Sequence, residues 1–508
     1  MVLALVFAAH ALFFPWFPEL KSANELSRVY LAESLIEDGT VSVDPSIARH
    51  GRIFDLSVRE VDGKPVHYSD KAPGVALVSL PALAVYRLVA SESPEESLAT
   101  EVRLVRIFGA TLPTLLLLVL LSRFLREELA SPHLPAILVL AYGLGTVATP
   151  YASLAFGHQL SALLLFGLFL RIRKTSVESC AGHLVVTGLI AGASLLVEYQ
   201  NAIILLPFMV WYLARVRLSP KAIGLAVLGA LPPVLALMVY HQAAFGSPFL
   251  TGYSFIASNF AEVHAQGLLG IAWPKVGHAF LSFLSPQKGL FYFSPWLVLG
   301  ALGLFRLEPR GDHRFHIVFV ALYALFVSAM VYPVGGWTVS QRHLAPMVPF
   351  LLLPAGLLLE RAMAREGRWS GVFVPALFVG LVAVSIAACF ISAVVWPHYP
   401  EHLENPFWQM GWPLFIDGWV PPNALSLVSS WWLIVGLSSV AALILLTWLA
   451  VPWILRHRPG ALVGTLGTVV LVVVAWVALS RIPGRDQDVE RDRSFAERVY
   501  VADPRSNP

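Results

Sequence analysis

Apolar runs of roughly 20 residues recur along most of this chain, and an α-helix of that length spans the hydrocarbon core of a bilayer. Hydropathy therefore predicts an all-α polytopic membrane protein with about thirteen transmembrane helices. The predicted spans are residues 1–18, 104–124, 134–152, 157–171, 183–199, 201–214, 222–242, 291–306, 315–333, 344–360, 370–396, 427–450 and 460–480.

The composition of the 508 residues supports this class, since 57% are hydrophobic and only 13% are charged. Soluble domains carry about 45–50% apolar and about 25% charged residues. The net charge of +3 is too small to indicate nucleic acid as a partner. Two cysteines, Cys180 and Cys389, favour neither a disulfide framework nor a metal site. The N-terminal run lacks the basic region and cleavage site of a signal peptide, which favours a retained first span.

The connections between the predicted spans alternate in character. Short basic ones such as "RIRKTSVES" and "RVRLSPK" indicate the cytoplasmic side by the positive-inside rule. The longer connections then face outward from the plasma (inner) membrane, with a polar tail at 481–508 after a membrane domain at 1–480. These outer loops are residues 19–103, 243–290, 334–343 and 397–426. This topology requires that the apolar segment 74–90 lies at the interface without crossing; if it were an ordinary span, every later loop would change sides.

Charged residues collect at the outward ends of these spans, although a charge at membrane depth costs about 2.5–3.5 kcal/mol and is usually retained for function. They are Glu25, Lys71, Glu198, Lys288 and Arg342. We expect one outward-facing, water-filled cavity to hold them together.

The residue types in these clusters indicate what such a cavity binds. Lysine and arginine suit a phosphate, the first as a point charge and the second as a planar fork. Tyr68, Tyr151 and His158 can stack on a sugar or form hydrogen bonds with it. Glu25 is a candidate general base, because deprotonating a hydroxyl needs a carboxylate or imidazole within hydrogen-bond reach.

A helix that begins at "NELSR" in the outer loop, followed by "SDKAPG" before a membrane-hugging helix, resembles the integral-membrane glycosyltransferases of the C-type fold. Within them the chain is most similar to the branch of lipid A aminoarabinose transferases and protein O-mannosyltransferases. The resemblance covers residues 1–215 and is general afterwards. It implies an inverting transfer of a sugar from a polyprenyl-phosphate carrier to a hydroxyl acceptor, which is a glycan, a lipid or a protein.

The family opens its first outer loop with an acidic pair, and the resemblance assigns roles to matching positions. The pair here is Asn24-Glu25, so only Glu25 inherits the catalytic carboxylate, with Asn24 and Arg28 beside it in substrate binding. Asp70-Lys71 in "SDKAPG" matches the element that carries a phosphate-binding lysine.

The family often carries a second acidic residue at the outer end of the third span, where this chain has Gly157-His158. His158 is the candidate to substitute as a second catalytic group, and a lone histidine at a span end is otherwise structural. This departure leaves the metal requirement of the family in doubt. No protein metal ligands are therefore assigned, and a divalent metal stays open as the one cofactor.

Simpler roles exist for several of these residues. Ser22 to Glu25 forms a capping-box pattern, in which Glu25 serves only the helix N-terminus. Arg28 can pair with Glu25 three positions earlier, Lys71 can extend its charge to the membrane interface, and Glu198 can join two helices.

Two other classes of function remain open: a lipid or polysaccharide transporter (flippase), and a non-catalytic subunit of an envelope-assembly machine. Clusters of polar residues that meet in one place favour the enzyme over both. The sequence identifies neither the sugar nor the acceptor.

Overall fold

The computed structural model describes residues 2–16, 22–256, 260–268, 270–308, 311–364, 370–419, 421–424, 461–480, 484 and 487–501. These residues are mostly helical. The helices before residue 216 are α1 (Val2–Leu12), α2 (Ala23–Glu33), α3 (Asp44–His50), α4 (Gly74–Val89), α5 (Pro94–Arg106), α6 (Leu112–Glu128), α7 (Leu134–Leu144), α8 (Ala148–Tyr151), α9 (His158–Arg173), α10 (Ala181–Val197), α11 (Asn201–Ile204) and α12 (Leu206–Arg215).

The second half continues in the same way, with longer helices joined by irregular segments. Its helices are α13 (Pro220–Phe245), α14 (Phe260–Ala265), α15 (Val276–Phe283), α16 (Leu290–Phe293), α17 (Leu297–Leu304), α18 (Gly311–Ser328), α19 (Leu352–Met363), α20 (Ser370–Val395), α21 (Trp412–Ile416), α22 (Ala461–Leu479) and α23 (Gln487–Val501). Short 3-10 helices lie at Gly252–Phe255 and Arg342–Leu351.

Helices form at the predicted spans that lie among the described residues, whereas the predicted span 427–450 lies outside them. By length and apolar composition, four described segments can cross a bilayer: Glu96–Glu128, Pro220–Phe245, Arg342–Met363 and Phe373–Val395. Several other apolar helices are shorter, and Gly74–Val89 is one of them. The total of thirteen spans and the interfacial position of 74–90 therefore stay predictions.

The expectation of an all-α chain is wrong in the predicted first outer loop, residues 19–103, which contains a two-stranded antiparallel sheet of β1 (Leu56–Val61) and β2 (Lys64–Ser69). Asp62 and Gly63 join the strands with φ of 51° and 75°. A two-residue Asp-Gly connection with positive φ at both positions is the preferred hairpin turn, because its twist matches that of the strands. The sequence carries this turn signal at Asp62-Gly63, whereas hydropathy does not register it.

The helix α2 is buried on all sides. Every residue from Glu25 to Glu33 is buried. The helix α4 lies beside α2 in the same direction. Ser27 contacts Asp70 just before α4 begins, and Glu37, beyond the end of α2, pairs with Arg87 near the end of α4. The two helices therefore form one layer with the hairpin.

The helices α5 and α6 form one continuous helix, in which a π-helical segment at Ile107–Thr111 joins the two. This segment directly follows Arg106, which is buried. A second core, smaller than the main helical one, joins α2 and α4 to the ends of α9, α10 and α13, with Val29, Val75, Leu160 and Val197 among its members. The candidate site lies where these helix ends meet.

Candidate functional site

Arg28 and Glu198 form a buried ion pair at the centre of the candidate site. Arg28 Nη2 lies 3.3 Å from Glu198 Oε1. Arg28 Nη1 also donates to the Asn24 carbonyl oxygen at 2.8 Å and to the side-chain oxygen of Asn24. The Nε atom of Arg28 is buried and has no hydrogen-bond partner. The pairing with Glu25 that helical spacing allows does not form, so Arg28 is directed toward α10.

Lys71 lies between two carboxylates beside this pair. Its Nζ is 2.7 Å from Asp70 Oδ2 and 3.0 Å from Asp55 Oδ2. Burial disfavours the ammonium, but the two carboxylates outweigh it and hold the pKa of Lys71 above its usual range. Burial and the neighbouring Asp55 carboxylate raise the pKa of Asp70, although Lys71 opposes them. Ser27 donates to Asp70 Oδ1 at 3.3 Å and so connects this group to α2.

Two glycines allow these groups to come together. A Cβ at Gly74 would lie 2.6 Å from the Leu196 carbonyl oxygen, so α4 begins in direct contact with the last turn of α10. A Cβ at Gly157 would lie 2.3 Å from Glu198 Oε1. The carboxylate of Glu198 therefore occupies the space that a side chain at position 157 would take.

The buried His158, the half-buried His343 and Arg342 complete the cluster. His158 Nδ1 is 3.7 Å from Glu198 Oε1, and neither of its ring nitrogens has a hydrogen-bond partner. The ring centroids of His158 and His343 are 5.2 Å apart, and His343 Nδ1 is 2.9 Å from Gln200 Oε1. The Arg342 guanidinium lies over the Phe156 ring, with 5.3 Å from Cζ to the centroid.

The cluster has balanced formal charge. Arg28, Lys71 and Arg342 supply three cations, while Asp55, Asp70 and Glu198 supply three carboxylates. Among the described residues, Arg342 forms no ion pair with a carboxylate, so its guanidinium and the Nε of Arg28 have donors to offer an anion. The described residues contain no group of three or more His, Cys, Asp or Glu arranged to hold a metal ion.

Glu25 is paired elsewhere. Its Oε1 accepts from Arg106 Nε at 2.8 Å and from the Ala155 amide at 2.7 Å, and its Oε2 accepts from Arg106 Nη2 at 3.0 Å. His398 Nε2 lies 3.4 Å from Oε2. Burial alone would raise the pKa of Glu25, yet Arg106 and these further contacts hold it below its usual range.

The capping box predicted at Ser22 does not form, because the structure gives this N-cap no side-chain hydrogen bond. Within the described part of the chain, Glu25 makes no hydrogen bond or ion pair with Lys71 or His158. Its role as a base stays a prediction.

Two further predicted residues, Tyr151 and Lys288, use their polar groups on the protein itself, and the ring of a third, Tyr68, packs within the protein. The Tyr151 hydroxyl donates to the Val339 carbonyl oxygen at 2.6 Å, while its ring packs edge-on against His158. Tyr68 packs against Phe245 with centroids 5.9 Å apart. The Lys288 ammonium donates to backbone carbonyl oxygens of the loop before Arg342.

Three residues of the site and its surroundings were not predicted from the sequence: Asp55, His343 and Arg106. Asp55 precedes β1 and His343 follows Arg342, and neither belongs to a recognisable motif. Arg106 carried a usable signal, since it is a charge within the predicted span 104–124 and such charges usually have a buried partner.

No model of a protein family and no curated protein matches the chain. Among solved structures, the chain is similar to ArnT from Cupriavidus metallidurans in a crystal structure bound to undecaprenyl phosphate. The match covers 94% of this chain and 76% of that chain, at 15% sequence identity and a TM-score of 0.47. At that identity and score the likeness assigns no role to any residue.

Proposed function

We propose that this protein is a membrane glycosyltransferase of the C-type fold that moves a sugar from a polyprenyl-phosphate carrier to a hydroxyl acceptor at the outer face of the membrane. The carrier phosphate binds to Lys71, Arg28 and Arg342, whose cationic groups suit its oxygens. As the sugar leaves the carrier, negative charge develops on the phosphate, and these cations stabilise it.

The observation that carries the proposal is the convergence of residues from distant segments on one cluster. Contacts of 3.3 to 3.7 Å join Arg28, Glu198 and His158, and contacts of 2.7 to 3.0 Å join Lys71 to Asp70 and Asp55. Burial would raise the pKa of Asp55, but the charges of Lys71, Arg342 and Arg28 hold it below its usual range, so the two groups lie close together. A collection of cations, carboxylates and histidines at one place supports a reaction site better than a transport path or an assembly surface. The signature at "NELSR" and "SDKAPG" supports the same class of enzyme.

The general base is a choice between two carboxylates. Sequence matching favours Glu25, which is bonded to Arg106 through both oxygens. Glu198 lies within the cluster and fills the space beside Gly157, the position at which related enzymes often carry their second acidic residue. We therefore assign Glu198 as the base that accepts the acceptor's hydroxyl proton, with His158 beside it.

A transfer assay with purified protein and a panel of polyprenyl-phosphate sugars tests the proposal. Glu198→Gln should lower kcat about 10²-fold or more, the contribution typical of a general base, while the KM for the donor changes little. Lys71→Met should chiefly raise the KM for the donor, because it removes a phosphate contact.

Exposed residues of the hairpin provide matched controls, and Glu60→Gln and Lys64→Met should retain wild-type kinetics. If Glu25→Gln abolishes transfer in folded protein while Glu198→Gln does not, the base is Glu25. If the wild-type protein neither binds nor uses any polyprenyl-phosphate sugar, the proposed function is wrong.

A further inference from the structure

Lys288 is fully buried, and its ammonium contacts the loop at residues 333–343. Nζ donates to the Gly336 carbonyl oxygen at 2.9 Å, to the Thr338 carbonyl oxygen at 2.7 Å and to Thr338 Oγ1 at 3.1 Å. An ammonium group has three donors and no acceptor. Burial lowers the pKa of Lys288 to about 7. In the protonated form all three donors are used within the protein, and none is left for a substrate in this arrangement.

The backbone of Lys288 contacts the same loop a second time. Its carbonyl oxygen accepts from the Gln341 amide at 2.9 Å and from Ser340 Oγ at 3.0 Å. Ser340 has a φ of 55°, in the left-handed region that is unfavourable for residues other than glycine. Such a conformation persists only where surrounding contacts over-determine it. The contacts from Lys288 do so on both sides of the strained residue.

Arg342 follows this strained turn by two positions, so the direction in which its guanidinium points depends on the turn. We propose that Lys288 is a positioning residue that fixes the 333–343 loop and thereby aims Arg342 at the carrier phosphate. This inference rests on the proposed function, because it takes Arg342 as a phosphate ligand. It replaces the direct substrate contact that the sequence predicts for Lys288.

A double-mutant cycle separates the two roles. Lys288→Met should lower kcat/KM for the donor about tenfold, mainly through KM, on the scale of one lost charge-assisted hydrogen bond. Arg342→Gln should have an effect at least as large. Because Lys288 acts through Arg342, the double variant should be no worse than Arg342→Gln alone. Additive losses would mean that Lys288 contacts the substrate independently, which would overturn the proposal.

Amide hydrogen exchange supplies a readout that needs no substrate. The Thr338 amide donates to the Tyr399 carbonyl oxygen at 3.0 Å, and the Gln341 amide donates to Lys288. Lys288→Met should speed exchange at both amides. Lys275→Met, which removes an exposed lysine from the same outer loop, is the matched control and should change neither.

Thr338→Val removes the hydroxyl that accepts from Lys288, together with its own donation to the Gly336 and Ser340 carbonyl oxygens at 3.3 Å. It should therefore give a smaller form of the same effect even if Lys288→Met fails to fold. If Lys288→Met folds and exchange at both amides is unchanged, the proposed role of Lys288 is wrong. If only Thr338→Val folds, unchanged exchange in that variant leads to the same conclusion. A wild-type protein without transfer activity would instead overturn the proposed function and leave the exchange result valid.

Discussion

The buried Glu25 carboxylate is held by an ion pair with Arg106, with the Ala155 amide and His398 beside it, and its removal should be costly. Breaking one partner of a buried ion pair destabilises a protein by about 3–5 kcal/mol, because the other charge stays buried without compensation. Glu25→Gln should therefore unfold at a clearly lower temperature than the wild type, owing to the loss of its contact with Arg106.

The pH dependence of that difference identifies the ionised carboxylate as its source. The contacts with Arg106 depress the pKa of Glu25 below its ordinary value of 4.5. Its stabilising contribution is then complete above that value and is lost as the pH falls through the lower folded-state pKa. The difference in Tm between the wild type and Glu25→Gln should be constant above pH 5 and should shrink below pH 4.5. A difference independent of pH throughout would contradict the ion-pair explanation.

At single positions, the charged residues of the site could be predicted from the sequence, but their ion-pair partners could not. Lys71, Glu198 and Arg342 could be selected because charges at span ends are costly and few. Their actual partners depend on how segments far apart in the chain pack. Glu25 and Arg106 are 81 positions apart, and no periodicity links them. Asp55 was missed because it joins Lys71 only after the hairpin has folded.

Among the secondary-structure elements, the contact between α4 and α10 determines whether Lys71 and Glu198 share one site. Alanine normally stabilises a helix by about 1 kcal/mol relative to glycine. At Gly74 the added Cβ would lie 2.6 Å from a backbone oxygen of Leu196, so α4 would have to shift. Gly74→Ala should lower both thermal stability and donor affinity.

Gly167, in α9, provides the comparison, because a Cβ there meets nothing within 4 Å. Gly167→Ala should be neutral or stabilising in the same thermal assay. If Gly74→Ala were as stable as Gly167→Ala, the close approach of α4 to α10 would not be needed for the stability of the fold.

Helices were predictable because long apolar runs outweigh other signals in this chain. The positions at which these helices break or change type were harder to predict. The predicted span 344–360 begins as a 3-10 helix at Arg342 and becomes α19 at Leu352. The predicted span 291–306 divides into α16 and α17. Hydropathy records the apolar content of a segment, whereas hydrogen-bond pattern and breaks depend on the neighbours against which it packs.

For the whole molecule, the outward position of the site is a prediction that rests on the predicted orientation of the basic loops, and a native cysteine can report on that orientation. Cys180 is exposed beside a basic connection predicted to be cytoplasmic, and Cys389 is buried. A membrane-impermeant maleimide should label Cys180 in inverted vesicles and leave it unlabelled in intact cells. Cys389 should react only after denaturation. Labelling of Cys180 from outside would reverse the topology and move the site to the other face.

The π-helical segment at Ile107–Thr111 has a consequence for the history of the chain. Such a segment accommodates one extra residue within a continuous helix, and each residue of a helix turns the chain by about 100°. One deletion there would rotate Arg106 away from Glu25 while α6 kept its packing. We expect evolutionary alignments of relatives to place a gap within residues 107–111. A relative without the extra residue should also have lost the acidic partner at position 25.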